Sequence, residues 1–303
     1  MVVLSTTQDH SIIIDAPSDE EIQKPTLSDE QETTRIQALI LQTNMVVFTC
    51  TYYPTINDLR LHQCLQTLKY ATTVPIVVVD GSPPEVHELL KSINGAIVRR
   101  EEGICGKGKG GALREAAQVA ASLPGVTNDT LLCWQEAEKS HMMECWQKEV
   151  LAQCVPDDDV ICPAREDGCF KKSYPIEQYH SESYGNYYLN CVMKGALAAE
   201  KERGNAITCG PIDWHFGPFA LRRKLLHLWM EYKGTSYDAQ LLPIVFAIRK
   251  GYQVNSSIEV SFELDGQMKE QEEGSLNFIE KRLHQLNDLD PKVKQSWKDD
   301  FYC

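Results

Sequence analysis

Residues 74–82 read "VPIVVVDGS", a continuous apolar run that ends in an acid and an Asp-Gly turn pair. A strand buried on both faces has this composition, because β-branched side chains fill a pleated surface and no face is reserved for water. Working outward, the same unit repeats. "MVVFTC" (45–50) precedes it, and a helical stretch at 56–71 lies between, with Leu59, Leu61, Cys64, Leu65 and Leu68 on its apolar face. "PPEVHELLKSI" follows as a short helix with prolines at its start, where they are tolerated. "GAIVRR" is a third strand and "GGALREAAQVAASL" an alanine-rich helix. "TLLCWQ" and "DVICPA" are further strands, separated by the helical "MMECWQKEVLAQC". This alternation predicts an α/β fold whose mostly parallel sheet is covered by helices on both faces. Ligands of such sheets bind outside the carboxyl ends of the strands. That places Thr49 to Tyr53, Asp80 to Ser82 and Glu136 to Lys139 along one rim.

After residue 165 the alternation stops. A Tyr-rich stretch leads into a helix ending near Arg203, and "CGPIDWHFGPFALRRKLLHLWMEY" reads as a Gly/Pro-punctuated loop followed by a helix. "YDAQLLPIVFAIRKGYQV" reads as a helix feeding a strand, "SIEVSFEL" as a strand, and "EQEEGSLNFIEKRLHQLNDL" as a surface helix. At the other end, residues 1–27 are polar and acidic, the composition of a mobile tail. A helix is expected over 28–44, with Ser28 as N-cap and Gln31 completing a capping box. The organisation is then one α/β domain over 45–265 and a helical tail over 266–303.

The 303 residues carry 43 acidic and 30 basic side chains, a net charge of −13 that argues against a nucleic-acid or bilayer-surface binder. No run approaches the ~18–20 apolar residues that span a bilayer, and the N-terminus lacks the pattern of a signal peptide. The eleven cysteines are scattered with no CxxC spacing. Neither a disulfide framework nor a zinc site is indicated, and a cytoplasmic chain with reduced thiols is expected. Oligomeric state is open, a homo-oligomer included.

Four segments bear chemistry. "GICGKGKGGALREA" (103–116) combines glycines that let backbone N–H groups approach an anion with Lys107 and Lys109, just before a helix start. It is no P-loop, because Gly110 stands where Ser or Thr must hold the metal. Asp80 either starts a turn or accepts a hydrogen bond from a ligand at the rim. "WQEAEK" (134–139) places Glu136 and Glu138 two residues apart. If the strand runs on through "QEAE", both carboxylates lie on one face, suited to a hard divalent cation. The alternative is a solvated strand end. Asp238 lies near a helix start, as a helix-starting residue or as a general base.

In order and type these segments resemble the nucleotide-sugar-dependent glycosyltransferases of GT-A fold, in the large family-2-like group. The resemblance covers roughly residues 45–262. It implies a nucleotide-contacting loop at "FTCTYYP" (48–54), with Thr49, Thr51 and Tyr52, and a base contact at Asp80 with Gly81. It implies a donor-side segment with Gly106, Lys107, Lys109 and Arg114, and a metal–diphosphate site for Mg²⁺ or Mn²⁺ at Glu136 and Glu138. It further implies an acceptor pocket at Trp214, His215 and Phe216 within "WHFGPFALRR", and a catalytic base at Asp238. The donor would be a UDP- or GDP-sugar and the acceptor a hydroxyl. The group's metal signature usually ends in Asp; here it ends in Glu, and Lys139 adjoins it, able to stand in partly for a cation. Two other readings stay open: a sugar-phosphate nucleotidyltransferase, and a glycosyltransferase-like binding protein without activity.

Overall fold

The computed structural model describes residues 28–205 and 207–298; the tail expected over 1–27 lies outside them. Among the described residues nine strands are formed: β1 (Met45–Thr51), β2 (Ile76–Asp80), β3 (Ile97–Arg100), β4 (Leu131–Trp134), β5 (Val160–Ile161), β6 (Ala164–Arg165), β7 (Phe219–Arg222), β8 (Val254–Asn255) and β9 (Glu259–Val260). Seven longer helices accompany them: α1 (Asp29–Thr43), α2 (Leu59–Leu68), α3 (Pro84–Ser92), α4 (Gly108–Ala121), α5 (Ile176–Glu202), α6 (Asp238–Arg249) and α7 (Asn277–Ser296).

The main sheet has the order β3-β2-β1-β4-β7-β5-β8, and β6 with β9 forms a second, two-stranded sheet. The α/β architecture read from the sequence, a mostly parallel sheet flanked by helices, is the one observed. Every residue of β2 is buried. Its alternate side chains supply two cores, as a period of two requires. Val77 and Val79 join Val46, Phe48, Leu132 and Trp134 on one face, under α4 and α6. Ile76 and Val78 join Met45, Val47, Leu131 and Cys133 on the other, with Leu61 and Leu68 of α2 and Val86 and Leu90 of α3. The register agrees, since Phe48 pairs with both Val77 and Trp134. The expected capping box is formed at α1 by Ser28 and Gln31, and Ile36 and Ile40 dock on the first core.

Two expectations are corrected and a third is refined. "FALR" is not a loop leading into a helix but strand β7, antiparallel to β4 and β5. All four of its residues are buried, so it shows neither strand alternation nor a break. "SIEVSFEL" keeps only the two-residue β9, paired with β6. The C-terminal helix lies at the surface as expected, but it is docked along one face. It buries Arg282, Leu286, Leu289 and Val293, a stripe with helical spacing, and packs on α5 and α6.

Candidate active site

The carboxyl ends of β1, β2 and β4 share one rim, and Asp80 closes β2 there. Its carboxylate is fully buried. Oδ1 accepts from Thr51 Oγ1 at 2.9 Å and from the Ser82 backbone N–H at 3.1 Å, and Oδ2 lies 2.8 Å from His87 Nδ1. Ser82 Oγ in turn accepts from the Tyr53 N–H at 2.9 Å. Asp80 therefore ties the two strand ends together. Beside it, Thr49 Oγ1 is buried without a partner, Tyr52 is exposed, and Gly81 packs where a Cβ would meet Glu101 at 2.6 Å.

The glycine-rich segment is built by close approach. Gly106 and Gly108 have φ of 109° and 66°, a region that favours glycine. A Cβ on Gly110 would come within 2.2 Å of the Gly234 carbonyl oxygen. Arg114 is buried; it donates to Cys105 O at 3.0 Å, Tyr232 O at 2.9 Å and Gly234 O at 2.8 Å. These bonds lock the start of α4 against the 232–235 turn. Lys107 is the N-cap residue and is exposed, and Lys109 is carried on the first turn.

Strand β4 stops at Trp134, so Glu136 and Glu138 lie in a turn and do not share a strand face. Gln135 begins that turn by side-chain bonds, accepting from Trp146 Nε1 at 2.9 Å and donating to Lys139 O at 3.1 Å. Glu136 Oε1 accepts from Lys109 Nζ at 3.1 Å, and Oε2 accepts from Lys139 Nζ. Burial would raise the Glu136 pKa, but the Lys139 and Lys109 ammoniums outweigh it and hold the carboxyl well below its usual range. Glu138 turns elsewhere and accepts from the Tyr53 hydroxyl at 3.0 Å. Burial pushes its pKa up, with the neighbouring Glu136 charge adding to the effect. Among the described residues, no group of three or more His, Cys, Asp or Glu side chains is placed to hold a metal ion.

Lys109, Glu136 and Lys139, together with Lys281 and Arg282 of α7, line a cavity of about 290 Å³. Below them lies a buried ion network. Glu182 of α5 accepts from Arg165 Nη1 at 2.6 Å and also from Arg282 Nη2. Arg165 holds Asp213 with two bonds of 2.8 Å and stacks over the Phe170 ring at 3.6 Å. Arg282 Nη1 donates to His215 Nδ1 at 2.9 Å. Since a guanidinium only donates, that nitrogen is the acceptor and a neutral His215 carries its proton on Nε2. Burial and then the Arg282 charge hold the His215 pKa well below its ordinary value. Four buried atoms of the lining have no hydrogen-bond partner among the described residues: Tyr174 Oη, Gln178 Oε1, His215 Nε2 and Arg282 Nε. Lys281 makes no ion pair among the described residues. Its pKa is lowered, by desolvation first and then by Arg282.

The lining holds five cations, Lys109, Lys139, Arg165, Lys281 and Arg282, against Glu136 and Glu182. Even with Asp213 neutralising Arg165 from behind, the positive charge exceeds the negative by two. Such a cavity, with low-dielectric walls, attracts anions.

Of the residues singled out in the sequence, the cavity brings together Lys109, Glu136 and His215. Trp214 is buried in the first core with Nε1 bonded to Asn190 Oδ1 at 2.9 Å, and Phe216 packs on Phe262 with centroids 5.2 Å apart. Asp238 is buried at the start of α6, outside the lining. It accepts from Tyr232 OH at 2.7 Å, Lys292 Nζ at 2.9 Å and the Ser236 N–H at 3.1 Å. Burial raises its pKa, but the Lys292 and Tyr232 bonds outweigh this and the net shift is downward. Its chain neighbours Ser236 and Tyr237 do face the cavity. Sequence reasoning missed Arg165, Glu182, Lys281 and Arg282. Their only signal was the basic pair Lys281-Arg282 inside an otherwise acidic tail.

No protein-family model matches the chain, and no curated protein matches it. The chain is similar to solved structures of glucosyl-3-phosphoglycerate synthase from Mycobacterium tuberculosis. The complex of that protein with Mn²⁺, UDP and glucosyl-3-phosphoglycerate aligns over 78% of this chain and 76% of its own, at 13% identity and a TM-score of 0.47. Its complex with Mn²⁺, UDP-glucose and phosphoglyceric acid aligns over 77% and 75%, at 15% identity and 0.44. Its complex with Mg²⁺ and UDP aligns over 78% and 75%, at 15% identity and 0.45. Among the described residues no helix is long and apolar enough to cross a membrane, and all ten described cysteines are free.

Proposed function

We propose that this chain is a glycosyltransferase, moving a sugar from a UDP- or GDP-sugar to a hydroxyl of an acceptor that itself bears negative charge. The observation that carries the reading is the cationic cavity at the carboxyl rim of the sheet. A departing nucleoside diphosphate develops charge on its oxygens, and preorganised cations at that point stabilise the transition state. Lys109 and Lys139 are positioned for the diphosphate. Lys281, the unpaired cation that α7 adds to the lining, is assigned to a carboxylate or phosphate on the acceptor.

His215 is kept neutral and its ring lies parallel to Tyr237, with centroids 6.2 Å apart, so it shapes the cavity without adding charge. Asp238 acts as a positioning residue: by holding Tyr232, Lys292 and Ser236 it orders the turn that presents Ser236 and Tyr237. A divalent cation does not fit the acidic residues as they stand, since both Glu136 oxygens are taken by ammoniums and Glu138 is bonded to Tyr53.

A thermal-shift screen against UDP, GDP, their sugars and CMP tests the donor assignment. A ligand at about 100 times its Kd stabilises a fold by about 2.7 kcal/mol. Binders are then assayed for nucleoside-diphosphate release, with hydroxy acids and sugar phosphates compared against neutral sugars. Release that depends on an anionic acceptor is expected, and no shift with any nucleotide would refute the reading. A second reading, donor binding without transfer, has one observation in its favour: no carboxylate on the cavity wall is free of a cationic partner. Nucleotide binding with neither transfer nor donor hydrolysis would decide for it.

A further inference from the structure

The resemblance stated above puts a metal ligand where this chain has Glu136, yet the space around that carboxylate is filled by two ammoniums. Both are also held by contacts outside the Glu136 side chain. Lys109 sits on the first turn of α4, a turn locked by the Gly110 and Arg114 contacts, and its Nζ lies 6.0 Å from the Trp134 ring centroid. Lys139 is placed by the backbone bond of its N–H to Glu136 O at 3.0 Å and lies 5.8 Å over the Phe216 ring. On a further side, Gly217 crowds the carboxylate, since a Cβ there would come 2.9 Å from Glu136 Oε2.

Two ammoniums carry the same charge as one divalent cation, and each offers three donors to phosphate oxygens. A divalent ion with two carboxylate ligands forms a neutral unit. Lys109 and Lys139 with Glu136 between them leave one positive charge, and Lys281 of the same lining adds another. We propose that the donor's diphosphate is bound without a divalent cation, its charge taken by Lys109 and Lys139, with Glu136 as the anionic spacer that sets the distance between them. The donor's identity in this inference rests on the glycosyl-transfer reading.

The test is titration calorimetry of UDP and GDP with the full chain, once in excess EDTA and once with Mn²⁺. Equal affinity in the two conditions is expected. Lys139→Met should weaken binding in EDTA by ~10-fold or more, the range for a hydrogen bond to a charged group, and far-UV circular dichroism with the ligand-free Tm checks that it folds. Because Lys139→Met frees Glu136 Oε2, Mn²⁺ should restore part of the loss in that variant alone. Glu136→Gln removes the competing anion and should tighten binding in EDTA several-fold. Binding by the unaltered chain only with Mn²⁺, abolished by Glu136→Gln, would overturn the inference while leaving the transfer reading intact. Binding of neither nucleotide under either condition would overturn both.

Discussion

Replacing Glu182 by Gln keeps the size and hydrogen-bonding shape of the side chain and deletes one charge at the centre of the ion network beneath the cavity. Glu182 exposes 2% of its side chain, Arg165 1% and Arg282 5%, so the charges have little water to fall back on. Removing one partner of a buried pair costs about 3–5 kcal/mol, because a buried charge is left uncompensated. The two arginines do not suffer equally. Arg165 keeps both bonds to Asp213, whereas Arg282 keeps only the neutral groups of His215 and Gln285. The loss should therefore fall near the lower end, about 3 kcal/mol. Unfolding entropy of about 2.1 cal/mol/K per residue, taken over the roughly 270 described residues, makes this a Tm fall of ~5 °C. Scanning calorimetry measures it. Glu182→Gln combined with Arg282→Gln should recover stability relative to the sum of the two single variants, by about 0.5–3 kcal/mol of coupling. A single variant that loses under ~1 kcal/mol, or a pair that adds without coupling, would mean the three charges are solvated and the network does not hold α7 in place.

Three further outcomes follow from the same geometry. His215 has a folded pKa below its unfolded value, so its contribution to stability is full above the unfolded pKa of ~6.5 and declines as pH falls below it, by at most about 1.4 kcal/mol per pH unit; His215→Gln should flatten that part of a plot of stability against pH. Gly110→Ala puts a methyl 2.2 Å from the Gly234 carbonyl oxygen and should cost about 1–3 kcal/mol, displacing Lys109 and weakening anion binding as well, as denaturant melts and phosphate titration would record. Lys281→Ala, at an exposed residue without an ion pair, should change stability by no more than ~0.5 kcal/mol, yet should raise KM for an anionic acceptor by ~10-fold and leave KM for the donor little changed.

The sheet could be read from the sequence because its signal is local. β1 and β2 are continuous apolar runs, and burial on both faces forces that composition whatever lies beyond. The glycine-rich segment was equally legible as a feature, but Gly108 and Gly110 serve close approach to the 234–235 backbone, a contact across more than 120 residues that no local pattern encodes. β7 was lost for a related reason: an antiparallel strand inserted between β4 and β5 is as apolar as the start of a helix. The rest of the cavity lining comes from Arg165, Glu182, Lys281 and Arg282, which β6, α5 and α7 bring together only in the folded chain.

The reading of Glu136 and Glu138 as one pair failed at a definable point. A spacing of two residues puts side chains on one face only while a ladder keeps the chain extended. The β1–β4 ladder has its last partners at Phe48 and Trp134, although β1 itself continues to Thr51 against β2. Past Trp134 the chain is held by the side-chain bonds of Gln135, and those bonds fold it into a turn. There Glu136 and Glu138 part company, one to two lysines and one to a tyrosine. The adjacent Lys139 held the better information. An acid followed three residues later by a lysine in a turn makes an ion pair, and an acid already paired is a poor ligand for a cation.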